Sequence, residues 1–537
     1  MPTQRIQFKD WLPDQPSILD AVSEANNVIP LAVGYGPFKT SVDYSGAASE
    51  NLNNVFATKL NNDVSIFAGG FTNLFKLDSS DLTLDDVTRA AGAYTGINRW
   101  QFVQFGNYAL ATNGSEKIQY YDVTSSIRFA DLNASAPVSK YITVVRDFVV
   151  GANIGAGTYP SRVQWSDIND PSDWTAGAGS QSDYQDIPDG GDITGITGGE
   201  FGIVFLEKAI VRMSYIGSPL FFQFDTISRN VGCIEGNSIA QYGGISYFLS
   251  DDGFYATNGQ TLTGIGSEKV DRYFFNNANI GDIDTISAAV DPERNLIIWN
   301  YGNTSGSRSL LIYNFATQKW CEADTDVDFL STLATSGTSL DAIDAAYNVT
   351  AGSFTIGKQY TIRTVGTTNF TLIGAVANTV GVLFTATGVG TGTGVAIDME
   401  ASATGMKTVD TLVTTLDDRL YKGGKFLFGG VKDTKITTFT GINATATLTT
   451  NDLEYGYNSV VTLIRPSVDN GSANIQIASR KMLDDTIIYS TTKTTDAEGR
   501  CSVRSAGRYH RVSLTPTGAN WFSAIGMDIE YSEQGTR

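Results

Sequence analysis

The chain has 537 residues, 42% hydrophobic and 17% charged, and its 56 acidic against 37 basic side chains leave a net charge of −19. That balance argues against a surface built to grip phosphate backbones or anionic lipid. No stretch approaches the ~18 consecutive apolar residues needed to span a bilayer, and the opening MPTQRIQFKDWLPDQP has no apolar run of the kind that makes a signal peptide.

The composition otherwise fits a β-rich protein: 55 glycines for tight turns, with 24 Tyr and 28 Phe for strands. Cys233, Cys321 and Cys501 are odd in number and far apart, so they are expected to be reduced packing residues of a chain folded in a cytoplasm.

Residues 1–50 stand apart. WLPDQPSI and NNVIPLAVGYGP carry Pro, Gly and aromatics without sustained periodicity, and Ser17–Asn26 is predicted as a short helix capped by Ser17. The segment is expected to be an extended arm across a larger body, completing a blade or a neighbouring subunit.

From residue 51 a strand–turn–strand rhythm sets in. Phe56–Leu60 turns into Val64–Ala68, with Asn73–Leu77 behind. Trp100–Phe105 turns at Gly106-Asn107 into Tyr108–Thr112, then Lys117–Asp122. Tyr141–Val145 turns at Arg146-Asp147 into Phe148–Gly151, followed by Arg162–Trp165 and the turn SDINDPSDW. Ile196–Gly198, Phe201–Leu206, Ala209–Tyr215 and Phe221–Thr226 make the next unit. Ile239–Tyr242, Ile245–Ser250 and Gly253–Thr257 make another, and Ile286–Val290, Asn295–Asn300, Ser309–Asn314 and Lys319–Glu322 a further one. The last is read as Leu412–Leu416, Leu420–Gly423, Lys435–Thr440 and Thr445–Thr450. Period-2 alternation broken by Asn, Asp, Gly and Pro is the hairpin signature.

About seven units at a spacing of about 40–50 residues match the four-stranded blades of a β-propeller. A general multi-sheet β assembly is the other architecture this rhythm allows. The all-β propeller is assigned to residues 51–335 and 407–450. It is interrupted at 336–406 by an inserted small β module, in which Asp341–Tyr347 reads as a helical turn. The module's Thr/Gly-rich stretch carries only Lys358 and Arg363 as charges. Residues 451–537, with longer strands at Ser459–Arg465, Ala473–Ser479, Thr486–Ser490, Arg508–Thr515 and Gly526–Tyr531, read as a C-terminal β-sandwich. That region holds a basic cluster, Arg500, Arg504, Arg508 and Arg511.

Chemistry is sparse. The single histidine, His510, cannot make a zinc site alone, and no nucleophile-elbow sequence accompanies it. Asp85-Asp86, Asp251-Asp252, Asp417-Asp418 and Asp484-Asp485 are pairs of the kind that glycoside hydrolysis uses. They lie beside turn residues, where Asp bonds the local backbone. DINDPSD spaces oxygen ligands closely but lacks the EF-hand pattern. GVGTGTG is not followed by Lys-Ser or Lys-Thr. No catalytic, cofactor-binding or metal-binding residue is assigned, and a structural or binding role is expected in place of an enzyme.

Three segments carry a resemblance. WLPDQP at Trp11–Pro16 with NVIP at Asn27–Pro30, VQWSDINDPSDW at Val163–Trp174, and GRCSVRSAGRYHRVSL at Gly499–Leu514 followed by Trp521 and Gly526 occur in that order. The chain thereby resembles the tail nozzle proteins of short-tailed phages (podoviruses), also called tail tubular protein B, hub or packaged-DNA stabilisation protein. The resemblance implies a virion protein forming a ring, a homohexamer, at the distal end of the tail. Such a ring extends the DNA ejection channel, retains packaged DNA and opens at host cell entry. Its implied partners are copies of itself, an adaptor or head-tail connector, fibres or spikes, and genomic DNA passing through the lumen without specific binding. Six copies at −19 would place on the order of a hundred negative charges on the ring, which would repel DNA phosphates if they line the lumen. The inserted module resembles a small β domain found in various phage structural proteins. Two other readings stand beside this one: an extracellular propeller that binds or cleaves polysaccharide, and another phage structural protein such as part of a fibre or baseplate.

Overall fold

The computed structural model describes residues 2–335, 348–398 and 424–533, except 62, 80, 97, 98 and 519. Within them the chain is all-β, with seven four-stranded sheets, one 14-stranded sheet and a short helix at Asp271–Asn277.

Six of the smaller sheets and part of the large one form seven successive antiparallel units. The first unit is Leu52–Leu60, Asp63–Gly70, Leu74–Leu77 and Leu84–Asp86, and the second Gln101–Phe105, Tyr108–Thr112, Gln119–Asp122 and Ala130–Asp131. The third is Ser139–Val145, Phe148–Ile154, Tyr159–Trp165 and Asp183–Asp186. The fourth is Ile193–Thr197, Gly202–Leu206, Ile210–Gly217 and Phe221–Ser228. The fifth is Ala240–Tyr242, Ile245–Leu249, Phe254–Thr257 and Leu262–Gly264, and the sixth Ser287–Asp291, Leu296–Gly302, Arg308–Asn314 and Lys319–Thr325.

The seventh unit corrects the sequence reading. Its strands are Phe329–Ala334, Phe426–Lys432 and Lys435–Thr438, and the fourth is supplied by Val42–Asp43 from the N-terminal segment. Thr447–Thr450, expected in this unit, pairs instead with Val22–Asn26 and Cys501–Thr517. The predicted strands Leu412–Leu416 and Leu420–Gly423 and the turn Asp341–Tyr347 lie outside the described residues.

Each unit is apolar on both faces and buries them against its neighbours. Phe67 and Leu74 of the first unit share a core with Trp100, Ala109 and Tyr121 of the second. Leu110 meets Ile142 and Val149 of the third, and Val163 and Trp165 meet Val204 and Phe222 of the fourth. Phe205 and Ile203 meet Phe248 of the fifth. Leu333 and Val431 of the seventh share a core with Val55, Ile66 and Phe75 of the first. Such sheets cannot fold singly, because an isolated unit would expose both faces.

The N-terminal segment is woven into the fold, with Val42–Asp43 completing the seventh unit. Residues Ser17–Asn26, expected as a helix, instead hold the strand Val22–Asn26, because Val22 and Ala25 are fully buried in a sheet that tertiary pairing dictates. The strands Thr3–Gln7, Val28–Pro30 and Tyr35–Pro37 join the same sheet as the long C-terminal strands Leu453–Asp469, Cys501–Thr517 and Ser523–Glu533. Gly34, at φ +71°, closes the turn between Val28–Pro30 and Tyr35–Pro37. A Cβ there would lie 2.3 Å from the Ala524 carbonyl oxygen.

In the C-terminal region, Leu453–Asp469 pairs with Cys501–Thr517 at its start and with Ser523–Glu533 at its end. Cys501–Thr517 takes Ser472–Arg480 along its second half. One continuous hydrogen-bonded sheet thus diverges into two leaves. It also runs through Val22–Asn26 into the sixth unit, by the parallel pair Asn26 and Glu322. The inserted module has its own sheet, from Asn348–Thr350, Gln359–Thr364, Leu383–Thr385 and Val395–Asp398. Its own core is Phe354, Tyr360, Phe370 and Phe384.

Candidate functional sites

The residues that the sequence brings forward are spent on structure. His510 is fully buried, with Nε2 2.9 Å from Ser459 Oγ and its ring 5.8 Å from that of Tyr455. Its Nδ1 is buried without a partner among the described residues, so no carboxylate completes a triad. Burial lowers its pKa. Asp86 Oδ1 accepts from Thr88 N at 2.8 Å, Asp252 Oδ2 from Tyr255 Oη at 2.9 Å and Asp485 Oδ2 from Met482 N at 2.9 Å. These are turn and surface bonds. Asp417-Asp418 lies outside the described residues.

In DINDPSD each carboxylate accepts from a different backbone amide. Asp167 Oδ1 accepts from Gln181 N at 2.7 Å, Asp170 Oδ1 from Ser172 N at 2.9 Å, and Asp173 Oδ1 from Thr175 N at 2.9 Å. Among the described residues, no group of three or more His, Cys, Asp or Glu is placed to hold a metal ion. Gly392 of GVGTGTG, at φ +110°, packs against the Thr367-Thr368 turn, where a Cβ would come within 2.8 Å of Thr368 Oγ1. The basic cluster is largely neutralised: Arg500 pairs with Asp496, Arg508 with Glu454 and Arg511 with Asp452. All three cysteines are free and buried, and burial pushes the Cys233 thiol up to about 12.

Two cavities emerge that no motif announced. The first, about 400 Å³, is lined by Asn53, Arg99, Gln101, Lys140, Glu235 and Asp284, among others. These residues lie at or just before the first strands of the first, second, third, fifth and sixth units, and Phe329 begins that of the seventh. Gln101 Nε2 donates to Asn237 Oδ1 at 2.9 Å, and Asn237 Nδ2 to Glu235 Oε1 at 3.0 Å. Arg99 stacks 4.6 Å over Phe329 and donates to the Leu330 carbonyl at 3.0 Å. Burial lowers its pKa to about 9, and burial raises that of Glu235. Two cations and two carboxylates around one cavity can hold a small polar molecule or ordered water.

The second cavity, about 620 Å³, is an open cleft between the outermost strands of the third and fourth units. Its lining includes Trp165, Val211 and Phe222, with Asp183, Gln185, Leu220 and Phe224 beside Asp189 and Arg229, while the Tyr184 and Asp186 side chains lie on the other face of the third unit. The Arg162 guanidinium is sandwiched between the Tyr159 and Tyr184 rings, 3.9 Å from each centroid. It forms two bonds to Asp186, at 2.7 and 2.9 Å.

No family model and no curated protein matches the chain. Among solved structures, an extracellular domain assigned to a one-component system of B. thetaiotaomicron aligns with a TM-score of 0.37 at 11% identity, over 61% of this chain and 43% of that one. The computationally designed Ika8 protein aligns with a TM-score of 0.31 at 10% identity, over 55% of this chain and 93% of that one. The chain thus spans less than half of the first of these structures.

Proposed function

We propose that this chain is a structural virion protein, the nozzle ring at the distal end of a short phage tail, with no catalytic role. The observation that carries the reading is the ordered set of three sequence segments at Trp11–Pro30, Val163–Trp174 and Gly499–Leu514. The fold is consistent with it. The first and third segments are strands of one sheet, so the parts of the chain that carry the resemblance form a single frame.

In this reading the seven units close as a β-propeller. The first strands contact one another in succession except from the fourth unit to the fifth, where the turn Gly236–Ser238 packs on Ile193–Thr197; Phe329–Ala334 packs against Leu52–Leu60, and residues at or just before the first strands of six of the units line one polar cavity. Val42–Asp43, joining the last unit from the start of the chain, fits a ring whose ends are stitched by a shared sheet. The ring of copies would extend the ejection channel, retain packaged DNA and carry fibres or spikes below an adaptor. Its acidic surface would repel passing DNA.

The test is an antibody to the purified chain, applied to particles of the phage that encodes it and imaged by electron microscopy. Label confined to the tail tip is expected. Label on radiating appendages would move the protein to the fibres, and particles without the chain would end the virion reading. A reconstruction of the ring with its carboxylates wholly on the outer surface would refute the proposed role of the charge.

A further inference from the structure

We infer that the cavity at the first strands of the array binds a small zwitterion of the amino-acid class. The inference does not depend on the nozzle reading, because it stands on the charges that line this cavity. Arg99 and Lys140 come to it from the second and third units, and Glu235 and Asp284 from the segments that lead into the fifth and sixth. At about 400 Å³ it falls within the range of small-molecule sites.

The backbone holds the Glu235 carboxylate in place. Glu235 caps the turn Gly236–Ser238, its Oε1 accepting from Asn237 N at 3.2 Å and from Asn237 Nδ2 at 3.0 Å. The turn is pinned from two sides. Trp299 Nε1 donates to the Ser238 carbonyl at 2.9 Å, and Gly236 lies so close to the fourth unit that a Cβ would come 2.1 Å from the Thr194 carbonyl oxygen. Gln101 reaches across from the second unit to bond Asn237. Arg99 is fixed as well: its Nη2 donates to Asn54 Oδ1 at 3.2 Å and to the Leu330 carbonyl at 3.0 Å, and its guanidinium lies on the Phe329 ring. Its Nε is buried without a partner among the described residues. Groups held in this way lose little entropy when a ligand arrives.

The four charges converge without cancelling. Burial is the chief influence on Glu235 and raises its pKa. Among the weaker ones Lys140 lowers it, Asp284 raises it and Arg99 lowers it, so all three lie within electrostatic reach of that carboxylate. Yet among the described residues neither cation comes within the 4.0 Å of an ion pair with either carboxylate. Unpaired charges of both signs around one space are matched by a ligand that carries one of each, its carboxylate toward Arg99 and Lys140 and its ammonium toward Glu235 and Asp284.

Other ligand classes fit less well. An inorganic anion or a dicarboxylate would meet Glu235 and Asp284, and a diamine would meet Arg99 and Lys140. Among the described residues no group of three or more His, Cys, Asp or Glu is placed to hold a metal ion. A zwitterion in this position would touch several units of the array at once, and binding to the folded state alone would raise its melting temperature.

The purified full-length protein is screened by thermal shift against the common free amino acids, with succinate, putrescine and phosphate as comparison probes, and each hit is measured by isothermal titration. At least one amino acid is expected to raise the melting temperature and to bind more tightly than any comparison probe. Glu235→Gln keeps an Oε1 acceptor for the turn and should weaken binding about tenfold or more. Lys140→Met removes a side chain that forms no hydrogen bond or ion pair among the described residues. It should weaken binding by a similar factor and leave the ligand-free melting temperature unchanged. Tyr184→Ala, on the outermost strand of the third unit, should leave affinity unchanged. Failure of every amino acid to bind overturns the inference and leaves the cavity to ordered water. So does tighter binding of succinate, putrescine or phosphate, or a hit that either charge substitution leaves at wild-type affinity.

Discussion

The seven-unit array and the inserted module are both small antiparallel sheets, yet they are stabilised differently. Every unit of the array shares its core with the units on either side, and the seventh borrows a strand from the start of the chain. The module closes a core of four aromatic rings within itself, Phe354, Tyr360, Phe370 and Phe384, with centroids 5.0 to 5.9 Å apart. The first design makes stability a property of the whole. The second makes the module a passenger between two strands, Phe329–Ala334 and Phe426–Lys432, that already pair with each other.

Deletion separates the two most sharply. Removing residues 1–44 takes away Trp11, Tyr35 and Phe38, each about 1% exposed, together with the strand Val42–Asp43. The loss should exceed the ~5–15 kcal/mol that holds a domain together, and the product should be insoluble or without a cooperative melt. Replacing residues 346–397 by a short Gly/Ser linker should shift the main transition by no more than about 3 °C. If the module deletion abolished the main transition, the contrast drawn here would be wrong.

Point substitutions sharpen the same contrast at smaller cost. Trp299 is wholly buried, packs tilted on Phe254 at 4.7 Å and stacks on Trp320 at 5.7 Å, and donates to the Ser238 carbonyl at 2.9 Å. Trp299→Ala should cost about 3–5 kcal/mol and lower the main transition in calorimetry. Phe370→Ala should remove a similar energy from the module alone, so that a separate minor transition falls while the main one stays in place.

The same difference explains what the sequence disclosed. Core strands such as Phe148–Ile154 and Leu296–Gly302 announce themselves by apolar runs between turn residues, and nearly all the predicted strands of the first six units exist. The outer strands Leu84–Asp86, Ala130–Asp131 and Leu262–Gly264 are two or three residues long, largely exposed, and have no periodicity to read. Val42–Asp43 is a strand only because Lys435–Thr438 lies beside it. The cavities were illegible for a related reason. Arg99 and Asp284 come to one cavity through the array and not through spacing, and Asp183 and Gln185 sit in a strand too polar to stand out.

The junction between the array and the large sheet offers a titration. Glu322 accepts from Tyr273 Oη at 2.5 Å and lies near Glu24 and Asp324. Burial, aided by those two carboxylates, raises its pKa from 4.5 to about 7. A carboxyl raised on folding stabilises the protein fully below its unfolded pKa and loses that contribution as pH rises through the folded one. Between about pH 5 and pH 8 the native chain should therefore lose about 2–3 kcal/mol from this group. Glu322→Gln should flatten that slope, as read from urea midpoints at the two pH values. An unchanged slope in the variant would mean that Glu322 is ionised in the folded state at pH 5.

The smallest effect concerns how the seventh unit is closed. Lys435 Nζ lies 2.5 Å from Asp43 Oδ2 across the closing strand, and both side chains are about half exposed. Exposed pairs of this kind contribute about 0.2–1 kcal/mol. The neighbouring backbone is more heavily engaged: Tyr44 N and Ala48 N donate to the Ile436 and Thr434 carbonyls at 2.8 and 2.7 Å, and Ile436 N donates to Ser45 Oγ at 2.9 Å. Lys435→Ala should thus cost less than about 1 kcal/mol and leave amide-exchange protection of residues 44–48 intact. Ser45→Ala should do more, because it leaves the Ile436 amide buried without its acceptor. The reverse order would mean that charge, and not the hydrogen-bonded chain, stitches the first residues to the last unit.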